Sequence, residues 1–344
     1  MPRKSYPVVA QAPRFAPDEF KKLKTQEVER VKSSARGSAA WAASMLLYRE
    51  LYQLPTGVHP YSHYDALPAE LEKLTLADCK EWHRRHVTPE NSVLVVSGDV
   101  DPAAVEAAAQ KVFARWKGKK PEGQSISNPE QRKRTEIIIA DRPGSAQSQV
   151  YVAAFGPERE SKEFPALMAA NQVLGGGVAG RLFLDVREKR SLAYNTGSSV
   201  DEVAHGPMPI VLSAGTQTPK TAEAVASLLE HAGKLGREPA TEGELAIAQR
   251  QLSDSFLFRM ETAGAIADLT SKLAILKLPD DYYDEYRKAV RMTDIPAVTS
   301  VATRYYQPAT SLVVVAGDAA VVAEPLRKLA PVTIVDPENG FAPK

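Results

Sequence analysis

Two stretches of this chain carry one pattern. "PENSVLVVSGD" (Pro89–Asp99) and "PATSLVVVAGD" (Pro308–Asp318) agree at six of eleven positions, and Pro308 lies 219 residues after Pro89. Each follows a helical pattern, and each is an apolar β-branched run of strand length closed by Gly-Asp. Self-similarity at that separation marks duplicated domains. Helix-starting prolines at Pro17 and Pro239 repeat at nearly the same separation, 222 residues. The duplication predicts a register. If the second copy opens near Thr135, its counterpart in the first falls at position −84, so roughly 80 residues of the first domain, two strands and two helices, are expected to have no equivalent here.

The rest of the chain fits an incomplete domain over residues 1–116, a linker over 117–134 and a complete domain over 135–344. The linker, "KGKKPEGQSISNPEQRKR", is polar, interrupted by Pro and Gly, and aperiodic. Before it, helical patterns cover Pro17–Ser34, Ser38–Gln53, Leu74–His86 and Val100–Trp116, with a buried strand expected at Asn91–Asp99. After it come strand patterns at "TEIIIADRP" and "AQSQVYVAAFG", and helices at Glu160–Leu174 and Val178–Arg190. Further strands follow from Ser191 and at Pro207–Thr216, then long helical patterns over Thr218–Gly236 and Thr241–Leu276. Paired strands mixed with runs of helices predict an α+β fold of two homologous two-layer domains, the first truncated at its N-terminal side.

Charge narrows the partners. Lys and Arg number 43 against 42 Asp and Glu, a net charge of +1, so no global field recruits nucleic acid or an acidic membrane surface. The longest apolar runs fall well short of the roughly 18 residues of a membrane span. One cysteine, Cys79, excludes an intrachain disulfide and a thiolate zinc cluster and suits cytoplasm and periplasm equally. No signal-peptide pattern is visible at the N-terminus.

The densest motif is "GGGVAGRLFLDVREKRSLAY" (Gly175–Tyr194). A phosphate cradle needs a strand leading into the glycines, or a Lys followed by Ser or Thr. Here a helix precedes them and Arg181-Leu182 follows Gly180, which disfavours a nucleotide site. Locally the stretch reads as a helix stopped by glycine, a tight turn and a second helix. That reading leaves Arg181, Arg187 and Arg190 crowded ahead of Tyr194. By itself it also allows Arg187 to be a surface ion pair with Glu188 or Asp185, and Tyr194 a half-buried strand aromatic.

"LGGGVAGRLFLDVREKRSLAY" (Leu174–Tyr194) resembles the second-domain signature of the pitrilysin or insulinase family of zinc peptidases, which includes the mitochondrial processing peptidases. The segment His59–Asp101 is similar to the back half of that family's first domain. The resemblance implies paired homologous domains around a chamber. One bears zinc on an inverted H-x-x-E-H helix, and the other presents an Arg and, seven residues on, a Tyr; here these fall on Arg187 and Tyr194. On that resemblance Arg187 and Tyr194 are the catalytic donors, and Gly175, Gly176, Gly177 and Arg181 border the substrate.

The departure from the family is the absence of any H-x-x-E-H; the histidines are His59, His63, His83, His86, His205 and His231. Glu27 or Glu29 would occupy the place of the third zinc ligand, but one carboxylate does not hold zinc. The pairs His83/His86 and His59/His63 each lack a third ligand. The chain is therefore expected to bind no metal and cleave no peptide alone, and to supply the Arg/Tyr half of a site completed by a zinc-bearing homologous domain or subunit acting on a peptide, with dimers expected. The alternative is a purely structural subunit resembling the core proteins of respiratory complexes.

Overall fold

The computed structural model describes residues 9–52, 59–62, 67–123 and 126–344. The apolar run after Ser311 becomes strand β5 (Leu312–Gly317), buried along its whole length. Its neighbours are β1 (Glu136–Asp141), parallel to it, and β2 (Gln147–Glu158), antiparallel. With β3 (Ala193–Val200), β4 (Pro207–Gln217), β6 (Val332–Asp336) and β7 (Ala342–Pro343) they form a seven-stranded mixed sheet in the order β3-β4-β2-β5-β1-β6-β7.

Side chains alternate across this sheet. Ile137, Ile139, Val313 and Val315 belong to one core and Ile138, Val314 and Ala316 to another. From Pro17 onward the α-helices of the described residues are α1 (Pro17–Gly37), α2 (Ala39–Tyr52), α3 (Pro68–Lys73), α4 (Leu76–His86), α5 (Pro102–Phe113), α6 (Phe164–Gly175), α7 (Thr221–Arg237), α8 (Glu242–Ser253), α9 (Ala263–Leu276), α10 (Tyr282–Met292), α11 (Ile295–Tyr305) and α12 (Ala319–Arg327). Helices α6, α7, α11 and α12 bury Leu167, Leu174, Leu228, Leu235, Val298 and Leu326 in the first core. On the other face α2 lays Ala42, Ala43, Leu46, Leu47 and Tyr52 against the second. The α+β architecture is the expected one.

The chain divides into two compact units: Met1–Arg30, Pro68–Ser125 and Leu257–Asp280 in one, Val31–Leu67, Ile126–Phe256 and Asp281–Lys344 in the other. One of these cuts, after Ser125, falls within the 117–134 linker segment. Helix α2 joins the sheet-bearing unit because its apolar face covers the middle of that sheet. The long helical pattern over Thr241–Leu276 breaks into α8, a 3-10 turn at Leu257–Met260 and α9, and the piece after the break belongs to the other unit.

That other unit is helical. Its helices are well capped: Thr75 and Asp78 form a reciprocal capping box on α4, and Asp101 accepts from the Ala103 and Ala104 amides on α5. Yet α3, α4, α5 and α9 bury no residue. The strand expected at Asn91–Asp99 does not form. Val93, Leu94 and Val96 are 68%, 59% and 48% exposed, whereas their counterparts in the repeat, Leu312, Val313 and Val315, are completely buried. The sequences match but the surroundings do not. A strand needs ladders on its edges, and β5 has them from β1 and β2; among the described residues of the helical unit nothing takes their place.

Candidate functional site

In the sheet-bearing unit the Gly175–Tyr194 motif is built on close glycine packing and three backbone irregularities. Gly175 ends α6 against β3. A Cβ added there would lie 2.8 Å from the Ser198 amide nitrogen and 3.0 Å from the Gly197 carbonyl carbon, so only glycine permits the contact. Gly180 then crosses Gly175 so closely that its Cβ would stand 2.9 Å from the Gly175 Cα. After this turn the chain winds as a π-helix, Phe183–Lys189, in which the Arg190 amide donates to the Asp185 carbonyl five residues back at 2.8 Å. Such windings are rare and frequent at functional sites. Buried Leu182 and Val186 seat it on the core, and Arg187 projects from it to the surface.

An ionic cluster on the core side of the π-helix fixes its roll. Asp185 Oδ2 receives His231 Nε2 and Arg190 Nε, each at 2.8 Å; Arg190 reaches Glu230 at 3.2 Å, and Lys234 pairs with Glu230 at 2.7 Å. Burial alone would push the Asp185 carboxyl up; the His231 bond and the Arg190 charge outweigh it and hold the group below its ordinary value.

Two residues past the π-helix stands Ser191, a non-glycine residue in the left-handed region at φ 50°, and β3 begins two residues on with a bulge. Ala193 faces Thr216 and Asn195 faces Gly215, so Tyr194 is the extra residue. Asn195 Oδ1 accepts the Gly215 amide at 2.8 Å, and the Tyr194 ring lies across the Gly215 backbone, where an added Cβ would stand 2.5 Å from Cζ and 2.6 Å from Oη. A new methyl would meet the ends of two side chains, the Tyr194 phenol and, at 2.8 Å, the Asn195 Oδ1 that accepts the Gly215 amide, so Gly215→Ala is expected to move the Tyr194 phenol and to cost about 1 to 3 kcal/mol of stability. Urea unfolding paired with the environment-sensitive fluorescence of Tyr194 in a variant stripped of nearby tyrosines would check it; an unmoved ring would contradict the expectation.

Arg187 and Tyr194 line one open pocket of about 350 Å³, together with Glu188, Ser191, Leu192, Ala193, Gln217 and Lys220. The Arg187 guanidinium stacks over Phe183 at 4.7 Å and makes only a loose 3.7 Å contact with Glu188. It and the phenol, half exposed, are donors facing solvent. Lys220 donates to the Ser191 carbonyl at 3.0 Å.

The other expected site residues are elsewhere. Arg181 is locked by Glu244 (2.7 and 2.9 Å) and by the Glu238 and Pro239 carbonyls (2.9 and 3.1 Å), clamping the turn onto the start of α8. Gly175 is packed against β3 and Gly176 and Gly177 are exposed in the turn after α6; none of the three lines the pocket. The Arg181 bonds and, against burial, the Thr241 amide draw the Glu244 carboxyl down to about 2. A folded-state value below the unfolded one stabilises above the unfolded value, so this contribution is complete above about pH 4.5 and drains away as pH falls toward about 2. Urea midpoints measured across that window should fall for the wild type and run flatter for Glu244→Gln.

Among the described residues no three His, Cys, Asp or Glu converge in a way that could hold a metal. Glu27 is bound by Arg30 on α1. His59 is buried against Tyr52 at 4.1 Å, which lowers its pKa, His83 meets Phe15 at 5.5 Å edge-on, and His86 stacks on Trp82 at 4.9 Å. His63 lies outside the described residues. None of these described residues is placed to hold a zinc ion with two others. Sequence reasoning missed Gly215, Gln217 and Lys220. A lone glycine inside the β4 pattern signals close approach, but nothing in "QTPK" reveals that it borders the motif.

Comparison with known proteins bears on the family and the fold. The chain is 26% identical over 218 residues to an uncharacterised zinc protease of Mycobacterium tuberculosis, covering 62% of this chain and 48% of that protein. It thus spans about half the length of the curated relatives it matches. Its fold is similar to the crystal structure of a peptidase M16 inactive domain from Pseudomonas fluorescens, with a TM-score of 0.81 at 24% identity over 91% of this chain and 73% of that one. A chain in the structure of Complex III2 from Candida albicans is similar at a TM-score of 0.72 and 14% identity, over 98% and 79%. No helix among the described residues is long and apolar enough to cross a membrane. Residues 73–252, more than half of the chain and including the whole Gly175–Tyr194 motif, match the family described as Peptidase M16 inactive domain, and the protein belongs to that family.

Proposed function

We propose that this chain is the non-catalytic half of a zinc metalloendopeptidase, presenting Arg187 and Tyr194 to a peptide whose scissile bond is cleaved at a zinc site on a homologous domain or subunit. The observation that carries this reading is that the two side chains share one open pocket, each placed by its own backbone irregularity. A guanidinium and a phenol are donors that keep their protons at neutral pH. Donors aimed at a developing oxyanion or at the substrate backbone are what a hydrolytic site needs beside its nucleophile. Gly175 and Arg181 contribute by holding this wall, and Gly176 and Gly177 stand exposed at its edge, where a peptide would pass.

The helical unit offers the place for the partner. Val93, Leu94 and Val96 are a strand pattern with neither neighbour that β5 has, and paired strands from the partner or from a second copy would cover them. The test is reconstitution. The purified chain alone is expected to show no stoichiometric zinc by plasma mass spectrometry and no peptide hydrolysis, to self-associate in sedimentation, and to support hydrolysis once the zinc-bearing homologue is added. Hydrolysis by the chain alone, or about one tightly held zinc per chain, would overturn it. A structural subunit without peptidase role is the second reading, favoured by the likeness to the Complex III2 chain; an assembly equally active with and without this chain would select it.

A further inference from the structure

The pocket that holds Arg187 and Tyr194 carries an excess of positive charge. Its lining contains two cations, Arg187 and Lys220, and one carboxylate, Glu188, which is mostly exposed and stands 3.7 Å from the Arg187 guanidinium. Lys220 makes no ion pair among the described residues; its hydrogen bond goes to the Ser191 carbonyl at 3.0 Å. An ammonium has three donors, so two remain for the pocket. Gln217 and Ser191 add neutral groups at the same rim. A void of about 350 Å³ admits one side chain or a chain terminus.

We propose that this pocket takes a peptide carboxylate, with Lys220 as a specificity-determining residue beside Arg187. This rests on the reading of the pocket as a peptide-contacting surface and adds to it the class of peptide preferred. A guanidinium fork accepts a carboxylate through two parallel bonds, and an ammonium opposite supplies a point charge. A neutral amide of the same shape gains neither, and leaves the two cations unmatched. Selection therefore comes from the difference between the two peptides rather than from total contact area. Both charges stand near solvent, so the preference should weaken as salt rises.

The test is fluorescence polarisation with the full chain and three labelled peptides of one sequence: blocked at both ends with a central Glu, the same with Gln, and the Gln peptide with a free C-terminal carboxylate. At low salt the Glu peptide is expected to bind about tenfold more tightly than its blocked Gln counterpart. Lys220→Gln should abolish most of that margin, read as the ratio of the Glu and blocked Gln affinities within each variant, and Lys220→Arg should restore it. A gain for the free-terminus peptide instead of the Glu peptide would assign the pocket to a chain end, within the same chemistry. Equal binding of all three peptides would overturn the carboxylate inference and leave the Arg187/Tyr194 reading intact. No binding of any peptide would overturn both.

Discussion

Removing the Arg187 guanidinium is expected to lower kcat/KM of the reconstituted peptidase by roughly ten- to a hundred-fold. The side chain is held by a ring stack on Phe183 and a loose contact with Glu188, so its donors are available to a substrate rather than tied to the protein. A charge-assisted hydrogen bond contributes on the order of 1.5 to 3 kcal/mol. Converted at the transition state, that is the stated range. Tyr194→Phe should cost less, since its bond is neutral and the ring keeps its packing on Gly215. If both donors hold one group, the double variant should lose less than the sum of the two. Zinc bound by the catalytic partner should not change in any of the three. Rates at the wild-type level in Arg187→Ala and Tyr194→Phe would sink the donor role.

The second large effect is on folding. In Gly175→Ala the new methyl meets the Ser198 amide nitrogen at 2.8 Å, the Gly197 carbonyl carbon at 3.0 Å and Leu182 Cδ1 at 2.8 Å. Two of these are backbone of β3 and cannot rotate away. Overpacking of this kind costs about 1 to 3 kcal/mol, and pushing α6 off β3 also displaces Leu182, the last residue before the π-helix. Stability and reconstituted activity should therefore fall together. Gly177→Ala is the control, because a Cβ there meets only the Gln172 amide nitrogen at 3.6 Å. Urea unfolding that shows Gly175→Ala as stable as Gly177→Ala would refute the account.

These effects separate what the residues announced from what they concealed. The β-branched runs at Ile137, Val150 and Leu312 became central strands because their periodicity and their neighbours agreed. The equally apolar run at Val93 did not, since pattern describes a segment's preference and pairing decides it. Arg187 and Tyr194 were legible through spacing. Their means of support was not: a π-turn, a left-handed Ser191 and a bulge at Tyr194 leave no periodic trace. Arg181 was the converse case, a motif residue whose charge is answered internally by Glu244, on a helix 63 residues away in sequence.

The wider winding of Phe183–Lys189 makes the direction of Arg187 depend on residue count rather than residue type. Each residue of an α-helix advances the side-chain azimuth by about 100°. Deleting one residue between Gly180 and Ser191 would let the segment rewind as ordinary α-helix with its backbone bonds intact, and would swing the guanidinium off the wall it shares with Tyr194. Substitutions along the turn change its chemistry one side chain at a time. A change of length changes where all of them point, so among sequences that keep the Arg and Tyr, the residue count from Gly180 through the wide winding to Tyr194 is what a working pocket cannot vary.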